Sequence, residues 1–164
     1  IMLLSLLKFF LNFFLIQIYT KMQKGTIKDD ILRGATGAGI GFAVVNTLAN
    51  SSAKIPINVG GMNFTLGTAF PIAVGLGTFL ASVSHDYILN HIPHNEKFVN
   101  MESAALNAGI SGGVPAGLIY FSNKDLMGAA ELGKLFVLGA ASGGLSTYVY
   151  DSYLAPFVGT LSKH

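Results

Sequence analysis

Four apolar segments, at about 34–50, 68–89, 103–121 and 131–150, are built from Gly, Ala, Ser and Thr as much as from large aliphatic residues. Small side chains have little apolar surface to hide from water. What they offer is close approach of one backbone to another, which is how helices associate in lipid, where hiding Leu against Leu gains nothing. This pattern limits the chain to helices packed through bare faces in water-poor surroundings. Composition agrees: glycine is 20 of 164 residues and charged residues are 11%, against ~25% charged in an average soluble domain. So little charge cannot coat a water-soluble globule.

The same figures remove other classes. Disorder requires high charge and few apolar residues. Nucleic-acid binding requires a dense basic face, and ten scattered Lys and Arg with a net charge of +2 do not make one. A disulfide scaffold requires cysteine, and there is none.

Residues 1–20 begin with IMLLSLLKFFLNFFLIQIY, broken by Lys8, Asn12 and Gln17. About 20 apolar residues span a bilayer core, and no small-residue cleavage signature follows. The segment is expected to be a retained N-terminal hydrophobic anchor helix. Ile1 precedes Met2, and Met22 is an alternative start that would delete the anchor. Lys8 either faces an acidic partner or marks a segment that is not a simple span. Residues 21–33 (KMQKGTIKDDILR) read as a basic loop. Lys- and Arg-rich loops stay on the cytoplasmic side, which places 21–33 inside and 50–66 outside. Residues 34–164 are the Gly-rich four-helix body. Tyr148, Tyr150 and Tyr153 close its last helix at headgroup level, and Pro115 is expected to kink or break the third.

Within that body, 55–66 has a different period. Ile55, Ile57 and Val59 alternate with Pro56 and Asn58; Met62, Phe64 and Leu66 alternate with Asn63 and Thr65. Gly60-Gly61 between them is a two-residue turn, which together reads as a β-hairpin. Its open edges exclude it from hydrocarbon.

The body also looks duplicated. A shift of 72 residues lays Asp30 on Glu102, Gly37 on Gly109 and Gly41 on Gly113; a shift of 65 lays Gly75 on Ala140, Thr78 on Gly143, Ser82 on Thr147 and Asp86 on Asp151. The expected fold is therefore all-α: a multi-span bundle of two helical hairpins plus the anchor, with one short β-hairpin. Its helix-packing residues are expected to be Gly34, Gly37, Gly41, Gly75, Gly109, Gly113, Gly139 and Gly143. Two repeats of two spans would be related by an axis along the membrane normal.

Few residues suggest chemistry. Gly34–Gly41 (GATGAGIG) superficially matches a dinucleotide loop, but such a loop needs a strand before it, and IKDDILR precedes it. His85, Asp86, His91, His94 and Glu96 crowd one region without the spacing of a closed metal site. Asn50-Ser-Ser and Asn63-Phe-Thr are glycosylation sequons. Asp86 and Asp151 stand at helix C-terminal ends, where the dipole disfavours anions, and are the candidate polar or transport residues. No catalytic set, cofactor site or metal site is expected.

In build, with an N-terminal anchor and a compact helical body, the chain resembles the minor membrane and capsid-associated proteins of large icosahedral DNA viruses with an inner membrane. That resemblance implies a structural virion role tying a protein shell to a membrane. Through Gly37/Gly41 and Gly109/Gly113 it resembles mitochondrial inner-membrane translocase subunits with four Gly-x-x-x-Gly spans, which implies protein translocation. The expectation is a non-enzymatic, multi-pass structural membrane protein of a larger assembly, whose partners are the bilayer, other proteins and, in one arrangement, further copies of itself. A small channel, transporter or translocase subunit is the alternative.

Overall fold

The computed structural model describes residues 2–24, 27–48, 50–91 and 99–161. It is mostly helical with one small two-stranded antiparallel sheet. The elements in chain order are α1 (Met2–Lys24), α2 (Ile27–Leu48), α3 (Asn50–Ala53), β1 (Pro56–Val59), β2 (Met62–Thr65), α4 (Leu66–His91), α5 (Val99–Ser122), α6 (Ala129–Val149), a π-helical turn (Tyr150–Leu154) and α7 (Ala155–Leu161).

Within the stretch expected as a basic loop, residues 21–24 close α1 and residues 27–33 open α2, so these described residues are helical. Lys21 lies in the last turn of α1, and Lys28 and Arg33 lie in the first turns of α2. The charges themselves favour this, since Asp29 and Asp30 sit in the first turn of α2, where the dipole attracts anions, and Lys21 ends a helix, where it attracts cations.

α2 packs on α4 and α5 on α6; contacts of α4 with α5 and of α2 with α6 close these four into a ring. The helices alternate in direction. α1 lies outside the ring, and none of its described side chains is buried. α5 runs unbroken through Pro115. The carbonyl freed by the missing proline N–H, that of Ser111, lies against Gly139, where an added Cβ would stand 2.7 Å from it.

Three rungs of close contact hold α2 to α4. Gly37 faces Thr78, Ala38 faces Gly75, and Gly41 faces Val74. Three hold α5 to α6: Ser111 faces Gly143, Gly112 faces Ala140, and Pro115 faces Gly139. These correspond at a shift of 74 for the first helix of each hairpin and 65 for the second. The shift of 72 is thereby corrected to 74. At every rung the glycine changes sides between the two hairpins. Gly109 and Gly113, expected at the packing face, are exposed, and a Cβ on either would meet nothing within 4 Å. They lie two residues out of register with Gly37 and Gly41, and two residues carry a helical position about 200° round the axis.

The two ends of the ring differ. At one, Val45, Phe70, Val74, Ile119 and Leu135 form an apolar core, capped by the hairpin. Its register pairs Pro56 with Thr65, Ile57 with Phe64, Asn58 with Asn63 and Val59 with Met62. Gly60 and Gly61 turn at φ +60° and +86°, the left-handed values a type I′ turn demands. Ile57 is buried in the core. The Asn123 side chain, at the end of α5, accepts from the Asn58 N–H (2.8 Å) and donates to the Asn58 and Ile119 carbonyls (2.8 Å each). It fastens the strand to the bundle.

Candidate functional site: a charged cavity at one end of the bundle

The opposite end holds a cavity of about 390 Å³ lined by Lys21 of α1; Asp29, Asp30 and Arg33 of α2; Thr78, Ala81, Ser82 and His85 of α4; Asn107 of α5; Thr147 of α6; and Asp151. On α4 the positions 78, 81, 82 and 85 step by three and four, one helical face.

Asp30 is at the centre and only 4% exposed. Its Oδ2 lies 3.0 Å from Lys21 Nζ, and the Ser82 hydroxyl donates to its Oδ1. Lys21 Nζ also donates to the Ser82 carbonyl at 3.1 Å. A buried carboxylate is tolerated only when paired and hydrogen-bonded; Asp30 is paired with Lys21 and hydrogen-bonded through Oδ1, while its buried Oδ2 accepts no hydrogen bond.

Arg33 reaches Asp151 with both ends of its fork, Nη2 to Oδ1 at 2.7 Å and Nη1 to Oδ2 at 3.4 Å, the bidentate geometry that suits guanidinium. Its charge also lies 5.0 Å from the centre of the Tyr150 ring, within cation–π range. The π turn makes this possible. Pro156 has no N–H for the Ser152 carbonyl, and the chain widens just before it, with the Ala155 N–H donating to the Tyr150 carbonyl. The wider turn lets Tyr150 be buried while Asp151 faces Arg33. Tyr150 donates its hydroxyl to Asp29 Oδ1 at 2.9 Å. Burial first, and the Asp29 bond and charge second, push its phenol up to about 12. Single π turns occur often at functional sites.

On the far wall, Asn107 Nδ2 donates to Thr147 Oγ1 and faces the Gly143 carbonyl. That leaves its buried Oδ1 without a donor.

Of the expected residues, Gly34, Gly37, Gly41 and Gly75 are buried between α2 and α4, and Gly139 and Gly143 between α5 and α6. Asp151 lines the cavity. The side chain of Asp86, and residues His94 and Glu96, lie outside the described residues. Lys21, Asp29, Asp30, Ser82, Asn107 and Tyr150 belong to the site as well, and none of them is expected from sequence to be a functional residue. The stripe Thr78, Ser82, His85 at helical spacing was the available signal. Among the described residues no group of three or more His, Cys, Asp or Glu is placed to hold a metal ion. The arrangement can hold a cation and can fix proton donors, the Ser82 hydroxyl on Asp30 and the Tyr150 hydroxyl on Asp29.

Two helices, Ile27–Leu48 and Leu66–His85, are long and apolar enough to cross a membrane. No family model matches the chain, and neither a curated protein nor a solved structure is significantly similar to it.

Proposed function

We propose that this is a non-enzymatic, multi-pass membrane protein acting as a structural component of a larger assembly, with α2, α4, α5 and α6 crossing the bilayer. One observation carries the reading: outside the apolar core at the hairpin end, the helices turn large apolar side chains outward and small ones inward. Phe42, Ile72, Leu118, Phe121, Phe136, Val137 and Leu145 are exposed, while Gly34, Gly37, Thr78, Ser84, Ser111, Ser142 and Ser146 are buried. In water these exposed side chains contribute no hydrophobic driving force. In lipid this ordering places large side chains against acyl chains and small ones between helices. The hydroxyls on these faces satisfy themselves locally, as Ser84 does on the Leu80 carbonyl and Ser142 on the Leu138 carbonyl.

In this reading the hairpin and the charged cavity lie at opposite membrane faces, and the hairpin, with Met62 exposed at 62%, meets partner proteins. On its resemblance in build to virion membrane proteins, the assembly would be one that ties a protein shell to a membrane. The cavity itself favours a second reading, a small channel, transporter or translocase subunit, because it opens at one end and reaches Thr78 near the middle of α4.

The chain has no cysteine, so single cysteines report position cleanly. Met62→Cys and Ser152→Cys are expected to react with a membrane-impermeant thiol reagent from opposite sides of sealed vesicles, and Phe136→Cys from neither. Release by alkaline carbonate, or labelling of all three from one side, overturns the membrane reading. Solute flux through reconstituted vesicles favours the second reading over the first.

A further inference from the structure

We infer that the seat formed by Asp30 and Ser82 is a binding site for a primary ammonium group, and that Lys21 fills it as a tethered occupant. The seat fits an –NH₃⁺ group, which has three donors and no acceptor. Lys21 Nζ donates to Asp30 Oδ1 at 3.3 Å and to the Ser82 carbonyl at 3.1 Å, and lies 3.0 Å from Asp30 Oδ2, a buried oxygen that accepts no hydrogen bond. Ser82 also donates its hydroxyl to Asp30 Oδ1, so the acceptors are fixed whether or not an ammonium is present.

The seat and its usual occupant belong to different parts of the fold. Asp30 and Ser82 stand on α2 and α4, which lock together through Gly37, Gly41 and Gly75 without help from α1. Lys21 comes from α1, on the outside of the ring, where Phe13 packs edge-on against Tyr87 of the bundle with ring centres 4.7 Å apart. Withdrawing Lys21 leaves Asp30 buried and without a cation, a costly state that a free ammonium relieves.

Two further features favour a cationic guest. The cavity carries three carboxylates, Asp29, Asp30 and Asp151, against the two cationic side chains Lys21 and Arg33. Asn107 Oδ1 is a buried acceptor with no donor on the same wall. At about 390 Å³ the space falls within the ~300–1,000 Å³ of small-molecule sites. The inference goes beyond the membrane reading and does not rest on it, since the cavity is the same whether lipid or protein surrounds the helices.

Chemical rescue tests it. Lys21→Ala in detergent is expected to unfold at lower temperature than the parent. Propylammonium, which replaces the deleted stem and charge, is expected to restore at least half of the lost midpoint in a saturable way. Propanol, tetramethylammonium and sodium at matched ionic strength are expected not to, and Lys21→Ala/Asp30→Asn is expected to lose the response. If Lys21→Ala does not fold unaided, the refolding yield with propylammonium against propanol reads the same question. Absence of rescue, equal rescue by sodium or tetramethylammonium, or rescue that survives Asp30→Asn overturns the assignment. None of these results depends on the labelling experiment that tests the membrane reading.

Discussion

Thr78 presses its side chain onto the bare Cα of Gly37: a β-carbon there would stand 2.5 Å from Thr78 Oγ1 and 2.9 Å from its Cβ. In the second hairpin the same rung is reversed, with Ser111 pressed onto Gly143. Each hairpin thus uses one glycine per rung to admit one larger group, and the two hairpins assign those roles to opposite helices.

Gly37→Ala is therefore expected to destabilise the bundle by about 1–3 kcal/mol through overpacking. Gly37→Ala/Thr78→Ala is expected to cost less than the two single changes added, with a coupling of about 0.5 kcal/mol or more. Thr78 bonds only its own helix, at the Val74 carbonyl, so its truncation strands no partner. Unfolding in detergent of the four members of the cycle measures the coupling, and additive costs would remove the close-contact account.

Gly109→Ala and Gly113→Ala should do the opposite. Neither position has a neighbour within 4 Å of an added Cβ. Both changes are expected to be neutral or stabilising by up to ~1 kcal/mol, the helix-propensity difference between the residues. Loss of stability in the purified single chain would place a helix contact where none is seen.

The two ion pairs differ in worth. Asp30 and Lys21 side chains are 5% and 16% exposed, and Asp30→Asn, which takes the carboxylate from this buried pair, is expected to cost about 3–5 kcal/mol. Arg33 and Asp151 are 29% and 48% exposed, and Asp151→Asn is expected to cost less than ~1 kcal/mol and to matter less as salt rises. Unfolding midpoints at low and high ionic strength separate the two. A large, salt-insensitive loss for Asp151→Asn would refute this ordering.

Tyr150 has an alkaline signature. Its phenol is pushed up to about 12, above the ~10 of an unfolded chain. Its contribution to stability is fully present below pH ~10 and is lost as pH rises through about 12, because the unfolded chain releases the proton first. Absorbance titration should show one of the six tyrosines ionising late, and Tyr150→Phe should delete that step. A parent curve with no late step would contradict the buried Asp29 bond.

Asn123→Ala is expected to free the hairpin without disturbing the contacts between α5 and α6. It strands the Asn58 N–H and costs about 1–3 kcal/mol. Faster amide exchange at Asn58, with unchanged protection around Gly139, is the expected pattern. Uniformly faster exchange across the bundle would mean that Asn123 supports the whole fold.

Local chemistry was legible in the chain. The period-two run around Gly60-Gly61 specifies the hairpin, because only that alternation with a left-handed turn closes two short strands. The small-residue stripes specify helices that meet closely. Pro115 misleads when read alone, since its ring packs on α6 only because Gly139 leaves room for it and for the Ser111 carbonyl.

What the chain could not show was which way each stripe faces. Gly37 and Gly109 look alike in sequence; one meets Thr78 and the other meets nothing, because the second hairpin is set two residues further along. The charged cavity was hidden for the same reason. Lys21, Asp30, Ser82 and Asn107 are far apart in sequence and share a site only once the ring has closed. Helix period, turn type and apolarity depend on neighbours a few residues away, so they can be read locally. Rotation about a helix axis and the partners of a buried charge depend on what lies across the bundle, and those only the tertiary structure decides.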